Sequence, residues 1–219
     1  MAKKPIKSNG NKSNKEEKTK KKMGPMHDLC FKLCYGTEGH EHLHEGLVNG
    51  IMENATLKPI KNLQLKDKEL KRETTDGKTV ILDVRSEAED GTAILIEAEK
   101  DDKKNIRNKV VFNWCKFFNE LIQKGNKLKE IPKIICIAIL NFDFDNKTDD
   151  YHNIYKFSNC KIENQAYQDL TNICEIHVIE LPKFRKLKNK NYKNNKLHRI
   201  LGYLDEKTPR NIRKRLIIM

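Results

Sequence analysis

The sequence predicts an α/β domain with a mixed central sheet, an acidic β-hairpin within that sheet, and helices on its flanks. Three segments carry the expectation. Residues 79–99 alternate apolar and polar side chains about a turn, the period of a half-buried hairpin. Residues 131–140 are almost unbroken in apolar side chains, as a strand covered on both faces requires. Between them, residues 105–124 repeat apolar side chains at helical spacing. A chain of 219 residues, 37% of them hydrophobic, can enclose one good core and is too short for two full domains.

In chain order, residues 1–25 are Lys, Ser, Asn and Gly with few apolar side chains, a composition that cannot offset the entropy of ordering, so a flexible tail is expected. Met26, Leu29, Phe31, Leu33 and Tyr35 suggest a short helix stopped by Gly36 and Gly39. Leu43, Leu47, Val48 and Ile51 recur at spacings of three and four, predicting a second helix over 42–54 that Gly46 and Gly50 weaken. Thr79–Arg85 sets Val80, Leu82 and Val84 on one side against Ile81, Asp83 and Arg85. Glu89, Asp90 and Gly91 supply turn chemistry, and Thr92–Glu99 resumes with Ile94, Ile96 and Ala98 against Leu95, Glu97 and Glu99. The helix over 105–124 is expected to present Val110, Val111, Trp114, Phe117, Phe118, Leu121 and Ile122 on one face. Residues 173–181 form a further strand, expected to stop at Pro182. The main domain is placed at 26–184, with a basic extension over 185–219.

The formal charge of +13 is unevenly distributed: residues 1–25 carry +7, residues 183–219 carry +11, and the middle carries −5. Basic ends around an acidic centre suit a protein that holds a polyanion at its edges and a cation inside. Lys outnumbers Arg 36 to 8, a bias that an A/T-rich coding sequence produces without selection for phosphate binding. No apolar run reaches the ~20 residues of a membrane span, and no apolar segment of a secretory signal follows the lysine-rich start. Cys30, Cys34, Cys115, Cys136, Cys160 and Cys174 lie scattered through apolar segments, as reduced thiols of a cytoplasmic protein do.

A hairpin pivoting about Asp90 brings Asp83 opposite Glu97, with Glu99 on the same face two residues on. Acids so opposed destabilise a sheet unless a proton or cation relieves them. Mg²⁺ or Mn²⁺, bound through one or two carboxylates together with phosphate oxygens, is the matching partner and points toward phosphodiester chemistry, with Asp83 and Glu97 as ligands. The bland alternative is an ordinary hairpin whose acids face solvent.

Beyond composition and spacing, several segments resemble, in order, the Rpn family of recombination-promoting nucleases and transposases, a branch of the PD-(D/E)XK superfamily. They are Asp28-Leu-Cys-Phe31-Lys32 with Gly36, Leu82-Asp83-Val84, Asp90-Gly91, Ile96-Glu97-Ala98-Glu99, Phe112-Asn-Trp114-Cys-Lys116, Ile139-Leu-Asn-Phe142-Asp143-Phe144, Tyr151-His152, and Glu175-Ile-His-Val-Ile-Glu180-Leu-Pro-Lys-Phe184. The resemblance covers about residues 26–184. It implies a restriction-endonuclease-like core and Mg²⁺-dependent (or Mn²⁺-dependent) cleavage of DNA, linked to mobile elements or recombination. It also implies a nucleoid-associated bacterial protein with no membrane partner, and leaves a homodimer open.

Two positions depart from the family pattern. Glu99 stands where this family has Gln and the wider superfamily Lys, so it cannot supply a positive charge. Lys100, the next residue, points to the opposite face of a regular strand unless a β-bulge turns it. Lys109 stands where relatives have Arg, replacing a bidentate phosphate contact with a point charge. The expected catalytic set is therefore Asp83, Glu97, Glu99 and Lys100, with Asp28 as a further metal ligand or simply a helix-dipole charge. Lys109, Lys116, Lys186, Lys188 and Arg213 are expected on DNA.

Three rival readings remain open. His27, Cys30, Cys34, His40, His42 and His44 suggest zinc, but at no standard spacing. A catalytically silent DNA-binding or interaction module is favoured by Glu99. An RNA-binding protein lacks support from aromatic residues, which are 7% of the chain.

Overall fold

A computed structural model describes residues 23–66, 74–75, 78–79, 84–102, 104–123, 127–159 and 168–216. Most of the expected N-terminal tail, the hairpin residues Val80 to Asp83, and Cys160 lie outside the described residues. In chain order the elements are α1 (Asp28–Tyr35), α2 (Glu41–Asn54), β1 (Gln64–Lys66), β2 (Thr74–Thr75), β3 (Lys78–Thr79), β4 (Val84–Glu87), β5 (Ala93–Glu99), α3 (Ile106–Gln123), β6 (Ile134–Leu140), β7 (His152–Tyr155), β8 (Cys174–Glu180), α4 (Leu181–Lys186), α5 (Lys196–Leu204) and α6 (Arg210–Leu216).

Six strands form one mixed sheet in the order β1-β4-β5-β6-β8-β7. β5, β6 and β8 run parallel, while β1, β4 and β7 are antiparallel to their neighbours. The β4–β5 register follows the predicted pivot: Val84 faces Ile96, Arg85 Leu95, Ser86 Ile94 and Glu87 Ala93. Gly91 takes φ +82°, a left-handed conformation that favours glycine, and the Asp90 carboxylate accepts a hydrogen bond from Thr92 N at 2.9 Å to close the turn.

Period-two alternation splits each central strand between two cores. Val84, Ile94, Ile96, Ala98, Ile135, Ile137, Ile139 and Ile179 face a core shared with α1, α2 and α5. Leu95, Cys136, Ala138, Leu140, Ile176 and Val178 face the other, under α3. This two-sided burial explains the unbroken apolar run of β6, all of whose residues are buried.

The structure differs from four sequence expectations. Thr79 belongs to β3, paired with β2 outside the main sheet, so the hairpin strand expected from Thr79 is described only from Val84. Val111 is exposed although it was placed on the apolar face of α3; at 100° per residue it lies off the stripe of Ile106, Val110, Trp114 and Phe117. Pro182 opens α4 instead of only ending β8, because its missing N–H and fixed φ suit a first helical turn. Gly50, read as a weakness in α2, permits close packing: a Cβ there would stand 3.3 Å from the Leu197 backbone nitrogen of α5.

The segment after residue 184 contributes to the main core. Asn195 caps α5 by accepting from His198 N at 2.8 Å, and Leu197, Leu201 and Leu204 then pack at spacings of four and three into the face shared with α1 and α2.

Candidate active site

Glu97 and Glu99 are alternate residues of β5, so the pleat directs both toward α3. Each is at most 5% exposed. Two carboxylates removed from water need compensation, and α3 supplies it. Lys109 pairs through Nζ with Glu97 Oε1 and also with Glu99 Oε1. Four residues on, at the helical spacing that shares its face, Asn113 Nδ2 donates to Glu97 Oε2 at 2.8 Å. One strand thus provides two acids, and one helix provides an ammonium and an amide directed at them.

A third acid, Glu180, ends β8 on the same face, across Leu140 of β6 from Glu99. Its Oε2 accepts from Phe144 N at 2.6 Å and Asp145 N at 3.3 Å, and its Oε1 from Lys183 Nζ at 2.7 Å. Glu180 therefore ties the loop after β6 to the edge of the site. Sequence reasoning gave it no role, although an acid closing an apolar parallel strand was a visible signal. Arg85, also on the α3 face, is held by Glu120 at 2.5 Å and lies over the Phe117 ring.

The expected site residues separate. Glu97, Glu99 and Lys109 come together. Asp83 lies outside the described residues. Lys100 is directed elsewhere: its Nζ donates to both carboxylate oxygens of Glu206, at 3.0 and 2.9 Å, between α5 and α6. The β5–β6 register is unbroken through Glu99 opposite Leu140, so no bulge turns Lys100 toward the two acids. Asp28 is exposed in the first turn of α1, whose Phe31 and Tyr35 pack on the opposite face of the sheet. Lys116 is half-buried two turns beyond Lys109 on α3; Lys186 and Lys188 are exposed at and after the end of α4; Arg213 is half-buried on α6.

Part of the basic C-terminal charge is internally engaged. Lys183 serves Glu180, Arg185 Nε donates to Asp205 at 2.9 and 3.0 Å, and Lys190 caps the carbonyls of Arg185 and Leu187 at 2.8 and 2.7 Å. The histidines and cysteines of residues 27–44 disperse. His44 is buried, its Nε2 2.7 Å from Ser86 Oγ, and burial pushes its pKa down to about 4, whereas His40 Nδ1 meets Leu33 O at 2.8 Å. Among the described residues no three His, Cys, Asp or Glu side chains form a metal-binding group.

Two buried carboxylates and no soft ligand form a donor set suited to a hard cation that completes its shell with water and phosphate oxygens. Glu97 and Glu99 fit such an ion, with the remaining positions left to other oxygens.

A six-stranded mixed sheet flanked by helices, with an acidic strand under one of them, is consistent with a PD-(D/E)XK nuclease-like fold. The model of the PD-(D/E)XK nuclease family transposases matches residues 25–216, and the chain belongs to that family. No curated protein and no solved structure matches it. No helix among the described residues is long and apolar enough to cross a membrane.

Proposed function

We propose that this chain is a DNA endonuclease that hydrolyses phosphodiester bonds with Mg²⁺ or Mn²⁺, acting in transposition or recombination. The observation that carries the proposal is the pair Glu97 and Glu99, buried side by side and balanced by one ammonium, which leaves net negative charge where a divalent ion can enter. Asp83, which a sequence pivot about Asp90 pairs with Glu97, is the proposed third acid.

In this reading a bound ion supplies Lewis acidity at the scissile phosphate and a nucleophilic water at neutral pH. Glu97, whose carboxylate Asn113 orients, would hold the ion, Glu99 would hold the ion or orient water, and Asp83 would be a further ligand. Lys116, Lys186, Lys188 and Arg213 contribute phosphate contacts along the duplex.

Nicking of supercoiled plasmid tests the proposal. Cleavage is expected with Mg²⁺ or Mn²⁺, arrested by chelator and abolished in Asp83→Ala and in Glu97→Ala. Cleavage that survives both substitutions would reject the assignment. A second reading, a catalytically silent DNA-binding module, is favoured by the ion pair between Lys109 and Glu99; it predicts a shifted band on a gel with the plasmid intact.

A further inference from the structure

We propose that Lys109 is a displaceable internal cation: it fills the seat between Glu97 and Glu99 in the free protein, leaves when a divalent ion enters, and then contacts a phosphate of the bound DNA. The inference rests on the nuclease reading above and adds an exchange step to it.

Three observations carry it. Lys109 Nζ reaches one oxygen of each glutamate, the position from which a single cation neutralises both. The acids are nearly dry, whereas the Lys109 side chain is 35% exposed, so the ammonium enters from the solvent side and can withdraw without unpacking α3. Asn113 holds the second oxygen of Glu97, so that carboxylate stays aimed at the seat when Lys109 departs.

The residue types suit exchange. Lysine carries a compact charge on a flexible four-carbon stem, while arginine's rigid fork would clasp the carboxylates bidentately and resist displacement. Glu99 adds a second anion, which strengthens the hold of Lys109 in the free state and equally the attraction for a doubly charged ion. Two buried like charges cannot stay unbalanced, so Lys109 leaves as the ion arrives. Lys100, the strand's own lysine, is engaged by Glu206 and is not in position for this task. A cation delivered from the helix thereby serves a site whose strand lacks one at residue 99.

The test is Mn²⁺ binding to the full chain without DNA, measured by titration calorimetry. Lys109→Met is expected to bind Mn²⁺ about tenfold more tightly or better, because an occupied seat lowers apparent affinity by the fraction of time it is filled. The same variant is expected to bind DNA more weakly in the presence of Mn²⁺. Should that variant fail to fold, the wild-type chain supplies the answer: acetylation of Lys109 by acetic anhydride, read by mass spectrometry, is expected to rise when Mn²⁺ replaces chelator. Equal Mn²⁺ affinity in wild type and variant, or unchanged acetylation with Mn²⁺ bound, overturns the exchange and leaves the nuclease reading intact. Absence of Glu97-dependent Mn²⁺ binding in both proteins, with and without DNA, overturns the nuclease reading itself and the exchange with it.

Discussion

Asn113 on α3 donates to Glu97 on β5 at 2.8 Å, and both side chains are buried. The bond makes the orientation of a strand carboxylate depend on a helix sixteen residues away in sequence. Asn113→Ala leaves a buried carboxylate oxygen without its donor, at a cost of about 1–3 kcal/mol. Urea denaturation is expected to show that loss, and plasmid nicking to need more Mn²⁺. Wild-type stability in the variant would mean that water replaces the amide and that the bond does not set the geometry.

Buried histidines predict acid sensitivity. Burial holds His44 and His152 down to about 4, with His177 adding to the effect at His152; burial, assisted by Lys190, also lowers His198. His152 belongs to a partly buried chain: its Nε2 meets His177 Nδ1 at 2.9 Å, its Nδ1 meets Asn54 Oδ1 at 2.7 Å, and His177 Nε2 meets Glu175 Oε1 at 2.8 Å. The unfolded chain, with histidines titrating near 6.5, takes up protons that the folded state refuses, so this stability is complete above that value and declines as pH falls toward about 4. His44 alone accounts for on the order of 3 kcal/mol at most. Denaturant midpoints at about pH 7.5 and about pH 5 should differ accordingly; coincident midpoints would contradict the depressed values.

The Arg185–Asp205 pair fastens α4 to the turn between α5 and α6. Arg185 Nε lies 2.9 Å from Asp205 Oδ1, and Asp205 is 2% exposed. Asp205→Ala leaves the half-buried Arg185 guanidinium without its carboxylate, at an expected cost of about 1–3 kcal/mol. A thermal melt close to that of the wild type would show that the C-terminal helices are held without the pair.

DNA affinity should fall with salt, and less steeply once an exposed contact is removed. Lys186→Ala and Lys188→Ala are each expected to reduce the slope of log affinity against log salt by about 0.9 per phosphate contact. Lys190→Ala should leave the slope unchanged, because Lys190 is bonded to the carbonyls of Arg185 and Leu187. Equal slopes for all three variants would place the DNA on another face.

The sequence by itself determined the pivot of the hairpin, the shared face of Glu97 and Glu99, the double burial of β6 and the helix between β5 and β6. Each follows from a local rule, whether the two-residue strand period, the turn chemistry of Asp90-Gly91 or the helical repeat. Tertiary structure alone decided that Lys109 rather than Lys100 meets the glutamates, that Glu180 anchors a loop beside them, that α5 enters the core, and that Lys183, Arg185 and Lys190 are engaged internally. Those outcomes depend on which side chains the packing of α3 and of the C-terminal helices brings within bonding distance. A long cation reaches whichever buried carboxylate or carbonyl the fold sets beside it, and no local periodicity encodes that choice.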